Sequence, residues 1–436
     1  MVSTTFAALW GLEKGERHIG LAKCFHYRVT SSPKGLEAQQ MRHHVTIVPG
    51  KFSQVSYQSL QRVATVFTAL LALGSVIRLT RVGIGGGNSW ITADWLIRYA
   101  DGYVRRGLIG ELVWGISNML QLNPLLVVTS LQIMFFSAFV IFSCLLFVRS
   151  SQTLTTAMLF ISPAFIAFHF WDLQGGFRKE IVLLATLSYL LWQSTQGVAH
   201  TYQKHLLLVG WAGSPMLFTF VHEGLVVFSP LFLVALWSVR NRVGVSEKSF
   251  WTTSAIAAAL SCIPFALSFV FPGSQLQAQI ICGELVQIGL GESICGGAIA
   301  SMGWSLQEAV TLAGDHATPI FALLGALSLA PFLLSKPEGR YAIIISCASL
   351  SVVPLFVVGA DWGRWIHISV SILTLIHFTR SDADDRQNPP RIAPSIAMLV
   401  SAAYALSWHL PHFGASYWGP GLLEMWVEVL AAFGSS

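Results

Sequence analysis

Residues 123–147 read NPLLVVTSLQIMFFSAFVIFSCLLF, a stretch that contains no charged side chain. A run of this length and polarity crosses a hydrocarbon core of about 30 Å when it forms an α-helix. It does not alternate between apolar and polar residues, as the strands of a transmembrane β-barrel do. The stretch therefore predicts a transmembrane helix.

The rest of the chain has the same character, since 54% of its 436 residues are hydrophobic and only 11% are charged. A soluble domain carries about 25% charged residues. We therefore predict an all-α fold, a polytopic transmembrane helical bundle of about 11 spans within residues 61–410. The predicted spans are 63–79, 123–147, 154–170, 181–195, 205–221, 224–239, 251–271, 318–335, 341–358, 366–379 and 392–409.

The two ends of the chain differ from this central part. Residues 1–60 are polar and basic and show no persistent helical or strand period, which predicts a disordered cytoplasmic tail. A start codon assigned too early is the alternative, because Met41 stands shortly before the first span. The first fifty residues contain no apolar run typical of a cleavable signal peptide. Residues 411–436 predict an aromatic tail on the outer side.

Lys and Arg residues in the short loops predict the orientation of the bundle. Cytoplasmic loops are enriched in these residues, and alternate loops here carry them: 148–152, 196–204, 240–248, 336–340 and 380–391. The predicted location is the cell inner (plasma) membrane, with a cytoplasmic N-terminus and an outer C-terminus. The outer side then receives the loops 80–122, 171–180, 272–317 and 360–365 and the turn His222-Glu223.

The first outer loop holds five charges within the fourteen residues DWLIRYADGYVRRG, from Asp94 to Gly107. Arginines are disfavoured in outer loops, so their presence here indicates a function. Asp101 and Asp94 are the candidate catalytic residues, and Arg105 and Arg106 the candidate anion-binding ones. The alternative is an interfacial helix whose Asp and Arg residues pair with each other and with lipid headgroups. A separate interfacial helix is predicted at 107–120, which is too short and amphipathic for a span.

Other outer segments repeat this combination of acidic and basic residues beside Gly and Trp. The candidate substrate-binding residues in them are Arg178 and Lys179 in 171–180, His222 and Glu223 in the turn, and Asp361 and Arg364 in 360–365. The structural alternatives are Trp and Arg anchors at the headgroup level and a salt bridge satisfied within its own turn. Repetition on one face favours a shared site at the outer rim.

Cysteine and histidine spacing predicts a disulfide and no metal site. Cys282 and Cys295 share one outer loop, so they can form a bridge if that side is oxidising. Neither a CxxC pair nor a Cys/His cluster is present. The His222-Glu223 pair does not continue as HExxH, because position 226 is Val226. A divalent cation stays open as a cofactor.

Carboxylates and arginines at one rim favour chemistry on a lipid-linked sugar. Arginine binds phosphate bidentately and can stabilise a leaving phosphate, while a carboxylate can act as general base on an acceptor hydroxyl. No Walker motif is present, which argues against ATP-driven transport by this chain alone. The net charge of +5 fits loop topology better than nucleic-acid binding.

In its many spans and its acidic first outer loop with an interfacial helix, the chain resembles the GT-C class of glycosyltransferases. That resemblance covers residues 60–410 and implies a polyprenyl- or dolichyl-phosphate sugar donor. It also implies that an acidic residue of the first outer loop, here Asp94 or Asp101, serves as catalytic base or metal partner. The expected function is transfer of a hexosyl or pentosyl group in cell-envelope polysaccharide or glycolipid synthesis. The expected partners are the lipid-linked sugar and membrane lipid.

Three alternatives stay open. An O-antigen-type polysaccharide polymerase would rely on the outer-loop arginines, here Arg105, Arg106, Arg178 and Arg364. A lipid-linked oligosaccharide flippase or transporter would need ionisable groups in the middle of the membrane and an internal repeat, and neither stands out. A non-catalytic subunit of an envelope-assembly complex would use the same charges to contact its protein partners.

Overall fold

The computed structural model describes residues 51–414, with gaps at 152, 198–200, 317–318, 335–338 and 381–393. Most of the predicted N-terminal tail and of the predicted aromatic tail lies outside the described residues. Within them every regular element is helical and no strand occurs, as predicted.

Seventeen α-helices follow one another in this part of the chain. The first seven are α1 (Lys51–Ile84), α2 (Gly107–Leu120), α3 (Pro124–Arg149), α4 (Leu154–Phe160), α5 (Phe168–Trp171), α6 (Leu173–Gly176) and α7 (Ile181–Thr195). The next five are α8 (Thr201–Val221), α9 (Ser229–Val239), α10 (Glu247–Val270), α11 (Gln275–Gln287) and α12 (Leu306–His316). The last five are α13 (Pro319–Leu334), α14 (Gly339–Leu350), α15 (Leu355–Val358), α16 (Trp362–Arg380) and α17 (Pro394–Leu406). Short 3₁₀ helices occupy Ala93–Leu96, Glu223–Phe228, Glu292–Gly296 and Ala300–Gly303.

Three helical stretches in the described residues are long and apolar enough to cross a membrane. They are Gln58–Ile84 in α1, Pro124–Arg149 and Glu247–Val270. A fourth is added if α12 and α13, which meet at a bend of 78°, form one broken span. Several other predicted spans correspond to apolar helices of 10–17 residues, which are shorter than the roughly 20 residues of a typical span.

Proline explains why two predicted spans are broken in the structure. The segment 154–170 forms α4 and α5 with a non-helical turn around Pro163 between them, and 341–358 is interrupted just before Pro354. Proline lacks the N–H that an α-helix needs and clashes with the preceding turn. The start of the bundle also differs, because α1 begins at Lys51 and residues 51–60 are helical instead of belonging to an irregular tail.

The core lies between α3, α7 and α16, around which the other long helices pack. α3 packs against α7 and α1, α16 packs against α9, α7 and α13, and α10 packs against α8. Phenylalanines fill this core; Phe147 and Phe160, for example, stack with ring centroids 3.8 Å apart. The outward side of α1 is apolar, with Val66 and Leu70 well exposed. An apolar outer surface of this kind suits contact with lipid.

The loops between these helices are ordered by helix caps and by a covalent bridge. Asn123 caps α3 by accepting a hydrogen bond from the backbone N–H of Leu125. The helix α2 has the bounds predicted for the interfacial helix. Loop 272–317 contains α11, α12 and two 3₁₀ helices, and the predicted disulfide between Cys282 and Cys295 is present, with Cα atoms 5.8 Å apart.

Candidate functional site

A buried glutamine holds two of the predicted outer loops together. Gln132 on α3 is fully buried, and its Nε2 donates to the carbonyl oxygens of Ile91 (3.1 Å) and Phe177 (2.8 Å). The indole Nε1 of Trp95 donates to the same Phe177 oxygen at 3.1 Å. Residue 91 belongs to loop 80–122 and residue 177 to segment 171–180. These bonds therefore fix the two loops against each other.

This framework places Asp94 beside Arg178. Asp94 lies in the 3₁₀ helix Ala93–Leu96 with none of its surface exposed, and its Oδ2 is 3.4 Å from Nε of Arg178. Burial by itself would raise the pKa of Asp94, but the charges of Arg178 and Lys179 lower it well below its ordinary value. Asp94 is therefore ionised. Its second oxygen, Oδ1, has no hydrogen-bond partner among the described residues.

Arg106 joins the first loop to the turn after α8. It precedes α2 with a left-handed φ of 66°, a conformation that non-glycine residues rarely adopt. Its Nε lies 2.8 Å from Oε2 of Glu223, and its carbonyl oxygen accepts a hydrogen bond of 2.6 Å from Nζ of Lys179. Arg105 stands on the other side of the carboxylate, with Nη1 3.7 Å from Oε1 of Glu223. Two contacts thus hold Arg106 in its unusual backbone conformation.

Lys179 is buried completely among these charges. Burial lowers its pKa to about 8, against the opposing attraction of Asp94. The ammonium group is thus predominantly charged at neutral pH, although its pKa lies closer to neutrality than that of an exposed lysine.

Glu180 lies where α7 meets the turn after α8 and the start of α16. Its Oε1 is 3.4 Å from Nη1 of Arg364 and 3.5 Å from Nε2 of His222. Neither carboxylate oxygen makes a hydrogen bond within the described residues. Arg364 also pairs with Asp361 at 2.7 Å and lies over the ring of Trp365, 4.4 Å from its centroid.

His222 is neutral at physiological pH. Burial, followed by the charge of Arg106, lowers its pKa to about 4. Its Nδ1 accepts a hydrogen bond from the backbone N–H of Gly224 at 3.0 Å. The ring proton therefore resides on Nε2, the nitrogen that faces Glu180.

These residues form one cluster, which we call the buried ion network: His222 also lies 3.9 Å from Glu223, and the charges of Lys179 and Arg106 act on the carboxylate of Asp94. Its members are Asp94, Arg105, Arg106, Arg178, Lys179, Glu180, His222, Glu223, Asp361 and Arg364. The network is not fully enclosed, since the side chains of Arg105, Arg106 and Asp361 are 26%, 22% and 25% exposed. Every member lies in a loop or within the first turn of a helix.

All predicted binding residues belong to this network, whereas one predicted catalytic residue lies outside it. Asp101 is exposed, has a left-handed φ of 58° and takes part in no ion pair within the described residues. The chain between Ile97 and Arg106 is not helical, so Asp94 and Asp101 do not share a helix face. Asp94 is thus the only predicted catalytic residue that lies within the buried ion network.

Sequence reasoning left out Glu180 and Gln132, although both leave a signal. Glu180 is the last charge of segment 171–180 and directly follows the predicted cations Arg178 and Lys179. Gln132 is the one amide side chain in the interior of the charge-free stretch 123–147, since the other, Asn123, stands at its first position. A polar group in such a stretch is expensive to bury unless it has partners.

Hydrogen bonds between Asp172 and His412 fix the chain after α17 next to the network. Asp172 caps α6 by accepting from the N–H of Gly175 (2.8 Å), and its Oδ2 also lies 2.6 Å from Nδ1 of His412. Gly363 permits this approach, because a Cβ at that position would lie 1.7 Å from the carbonyl oxygen of Pro411. Residues 411–412, predicted as the start of a tail, are therefore packed against the beginning of α16.

A cavity of about 400 Å³ lies apart from the buried ion network, between α2 and α11. We call it the Arg98 cavity; it is lined by Arg98, Glu111, Trp114, Gly115, Asn118, Glu284, Gln287 and Ile288. It shares no lining residue with the network, although Arg98 follows Asp94 by only four positions.

No group of three or more His, Cys, Asp or Glu side chains in the described residues is arranged to hold a metal ion. The divalent cation left open by the sequence therefore has no set of three such ligands in this part of the chain. Neither a protein-family model, nor a curated protein, nor a solved structure matches this chain.

Proposed function

We propose that this protein is a membrane glycosyltransferase of the GT-C type that uses a polyprenyl-phosphate-linked sugar donor. The observation that carries the proposal is the buried ion network. There an ionised aspartate from the first loop meets arginines of its own loop and cations from two other segments, Arg178 and Lys179 in 171–180 and Arg364 in 360–365, and the network is partly exposed. Transfer of a sugar from a phosphate can use a carboxylate as general base on the acceptor and cations that stabilise the leaving phosphate.

The cations would bind the donor phosphate. Arg105 and Arg106 are partly exposed, and Arg178 and Arg364 are buried. Five cationic side chains and four carboxylates face each other in the network, so with a neutral His222 one positive charge is left over. A phosphodiester, such as a sugar linked to a lipid monophosphate, carries one negative charge and would neutralise that excess.

Asp94 would receive the proton of the acceptor hydroxyl. Its Oδ1 makes no hydrogen bond within the described residues, while Oδ2 is held by Arg178. As the hydroxyl oxygen attacks the anomeric carbon, the bond to the phosphate oxygen breaks and the leaving phosphate stays between the arginines. The low pKa of Asp94 makes it a weak base, so we assign it chiefly the orientation of the hydroxyl and the acceptance of its proton late in the step.

We further propose the membrane arrangement predicted from the loops. About eleven apolar segments, some broken, would place the N-terminus in the cytoplasm and the network at the outer face of the inner (plasma) membrane. The expected roles are those of cell-envelope polysaccharide or glycolipid synthesis. Support comes from the positions of the network residues, which all lie at loops and helix ends and not in helix centres.

That position bears on the alternatives. A transporter or flippase needs ionisable groups near the bilayer midplane, which a cluster at helix ends does not supply. An O-antigen-type polymerase is the better second candidate, because four arginines that it would use converge in the network. A polymerase of that type would depend on Arg105, Arg106, Arg178 and Arg364 more than on Asp94.

The test compares Asp94→Asn with Asp101→Asn in purified protein reconstituted in nanodiscs. The probes are radiolabelled polyprenyl-monophosphate hexose and pentose donors, each offered with a membrane glycan extract as acceptor. We expect Asp94→Asn to reduce transfer by about 100-fold or more. Asp101→Asn removes an equally charged but exposed side chain and should retain full activity.

Folding of both variants is checked by size-exclusion chromatography and by thermal unfolding. If folded Asp94→Asn keeps full transfer activity while Arg106→Gln loses it, the O-antigen-type polymerase replaces the glycosyltransferase with Asp94 as base. Net movement of the labelled lipid across the vesicle membrane without cleavage of the sugar would favour a flippase instead.

A further inference from the structure

The Arg98 cavity has the size and the lining of a small-molecule site. Its volume of about 400 Å³ lies within the range of ligand pockets, roughly 300–1,000 Å³. Carboxylates, a guanidinium group and two amide side chains surround an indole ring in its wall. Such groups offer donors and acceptors in several directions.

Its polar groups are held in place from both sides. On the α11 side, Oε2 of Glu284 accepts a hydrogen bond of 3.1 Å from Nε of Arg98. On the α2 side, Oε1 of Glu111 accepts from the backbone N–H of Tyr99 at 2.7 Å. The guanidinium of Arg98 also lies over the ring of Trp114, 4.9 Å from its centroid. A preorganised wall of this kind reduces the entropy lost when a ligand binds.

The disulfide fixes the α11 wall of the cavity. Cys282 lies on α11, and the loop that it closes with Cys295 contains Glu284, Gln287 and Ile288. The same segment is attached to the first loop, because the N–H of Ala298 donates to the carbonyl oxygen of Ser89 at 2.8 Å. The two walls are therefore held at a defined separation.

The charge of the cavity argues against an anionic ligand. Two carboxylates, Glu111 and Glu284, face one cation, Arg98, so the lining carries one excess negative charge. The buried ion network has the opposite excess. A phosphate-bearing donor would thus be attracted to the network and repelled from the cavity.

The cavity and the network are close enough to serve one substrate pair. Asp94 and Arg98 are separated by four residues, which span at most about 14 Å even when fully extended. That distance is shorter than a few linked sugar rings. An uncharged glycan bound in the cavity could therefore extend one end towards Asp94.

From these observations we infer that the Arg98 cavity binds a neutral saccharide and is the acceptor subsite of the enzyme. The role as acceptor subsite rests on the proposed function. The binding of a saccharide in the cavity does not depend on any transfer reaction. Hydroxyl groups would bond to the carboxylates and to the amides of Asn118 and Gln287, and a sugar ring would pack against Trp114.

The experiment measures saccharide binding to the full chain in nanodiscs by saturation-transfer-difference NMR, without any donor present. The probes are neutral trisaccharides of mannose, glucose, galactose, arabinose and N-acetylglucosamine, together with glucosamine trisaccharide as a cation and mannose 6-phosphate as an anion. We expect at least one neutral trisaccharide to bind. Trp114→Ala should weaken that binding about tenfold, and Gln287→Ala, a milder change, should weaken it severalfold.

Two controls distinguish loss of the site from loss of the fold. Trp304→Ala removes an exposed tryptophan outside the cavity and should leave binding unchanged. Asp101→Asn changes an exposed carboxylate that lies outside the cavity and outside the network, and it should also leave binding unchanged. If the wild-type protein binds the saccharide but shows no transfer, the glycosyltransferase proposal is wrong and the saccharide site is still supported.

Four outcomes would overturn the inference itself. The first two are that no neutral trisaccharide binds, and that Trp114→Ala and Gln287→Ala leave the binding unchanged. The other two are that mannose 6-phosphate, or the cationic trisaccharide, binds more strongly than every neutral trisaccharide. In the enzymatic assay, Gln287→Ala should raise the KM for the acceptor and leave kcat and the KM for the donor unchanged. A general structural defect would instead alter all three constants.

Discussion

Asp94 and Arg98 are four positions apart on one loop, and each belongs to an arginine–carboxylate pair: Asp94 with Arg178, and Arg98 with Glu284. The two pairs differ mainly in burial. Asp94 and Arg178 are removed from solvent, whereas Arg98 and Glu284 line an open cavity with side chains 21% and 34% exposed. Buried charges interact strongly because the surroundings screen them little, but removing either partner leaves the other without compensation. Exposed pairs contribute little. The two pairs consist of similar residues, but their contributions to the free energy of unfolding are therefore expected to differ several-fold.

The largest effect that distinguishes the two clusters should come from removing one arginine of each. Arg178→Met leaves Asp94 buried without its closest cation, and we expect a loss of about 3–5 kcal/mol in the free energy of unfolding. Arg98→Met should cost less than about 1 kcal/mol. Denaturant-induced unfolding in mixed micelles measures both. Equal losses in the two variants would contradict the assigned difference in burial.

Next in size is the effect of the glutamine that connects the two loops of the network. Gln132→Leu leaves the buried carbonyl of Ile91 without its donor and weakens the bonds to Phe177, which should cost about 1–3 kcal/mol. Transfer activity should fall as well, because Asp94 and Arg178 lose their common support. The matched control is Ser130→Leu, which makes the same kind of change at an exposed position of α3. If the two variants behave alike, the connecting role of Gln132 is wrong.

The free energy of unfolding should also depend on pH through His222 of the buried ion network. The lining of the Arg98 cavity contains no histidine. The pKa of His222 falls from its ordinary 6.5 to about 4 on folding, so between these values the unfolded chain binds the proton more tightly. The contribution is complete above pH 6.5 and decreases as the pH falls towards 4, by about 2 kcal/mol at pH 5. Unfolding of wild type and His222→Gln over pH 7.5–5 measures this, with exposed His205→Gln as the control. A slope that survives in His222→Gln would assign the effect to other groups.

The smallest expected effect is the coupling between Arg98 and Glu284. A double-mutant cycle with Arg98→Met and Glu284→Gln should give about 0–1 kcal/mol, and added salt should reduce it. The same cycle at Arg106 and Glu223 should give a larger and less salt-sensitive value, because that carboxylate is only 15% exposed. Coupling energies of equal size and salt dependence would remove the contrast between the clusters.

Much of the candidate site could be predicted from the kind and position of its charges. The conspicuous charge clusters of this chain stand in a few loops, and nearly every site residue predicted in those loops belongs to the network. Asp101 shows the limit of this reasoning. It has the same type and the same loop as Asp94, but it lies on an exposed turn, and no local pattern distinguishes the two.

The helices divide in a similar way. The apolar run at 123–147 is helical almost as predicted, because its length and composition leave no other way to satisfy its backbone in an apolar medium. The run at 154–170 is broken around Pro163, and 341–358 is broken near Pro354. The prolines were visible in the sequence. Whether a proline kinks or interrupts a helix depends on the neighbouring helices that satisfy the freed carbonyls.

The sequence by itself determined that this protein is helical and apolar, that conspicuous charge clusters stand in a few of its loops, and that Cys282 and Cys295 share one loop. Hydrophobicity and helical period are properties of a local stretch, so they can be read locally. Only the tertiary structure decided that Gln132 connects two loops, that Asp94 is buried while Asp101 is exposed, and that Arg98 lines a separate cavity. Burial and ion pairing depend on residues distant in sequence, such as Asp94 and Arg178, which approach each other only when the helices pack.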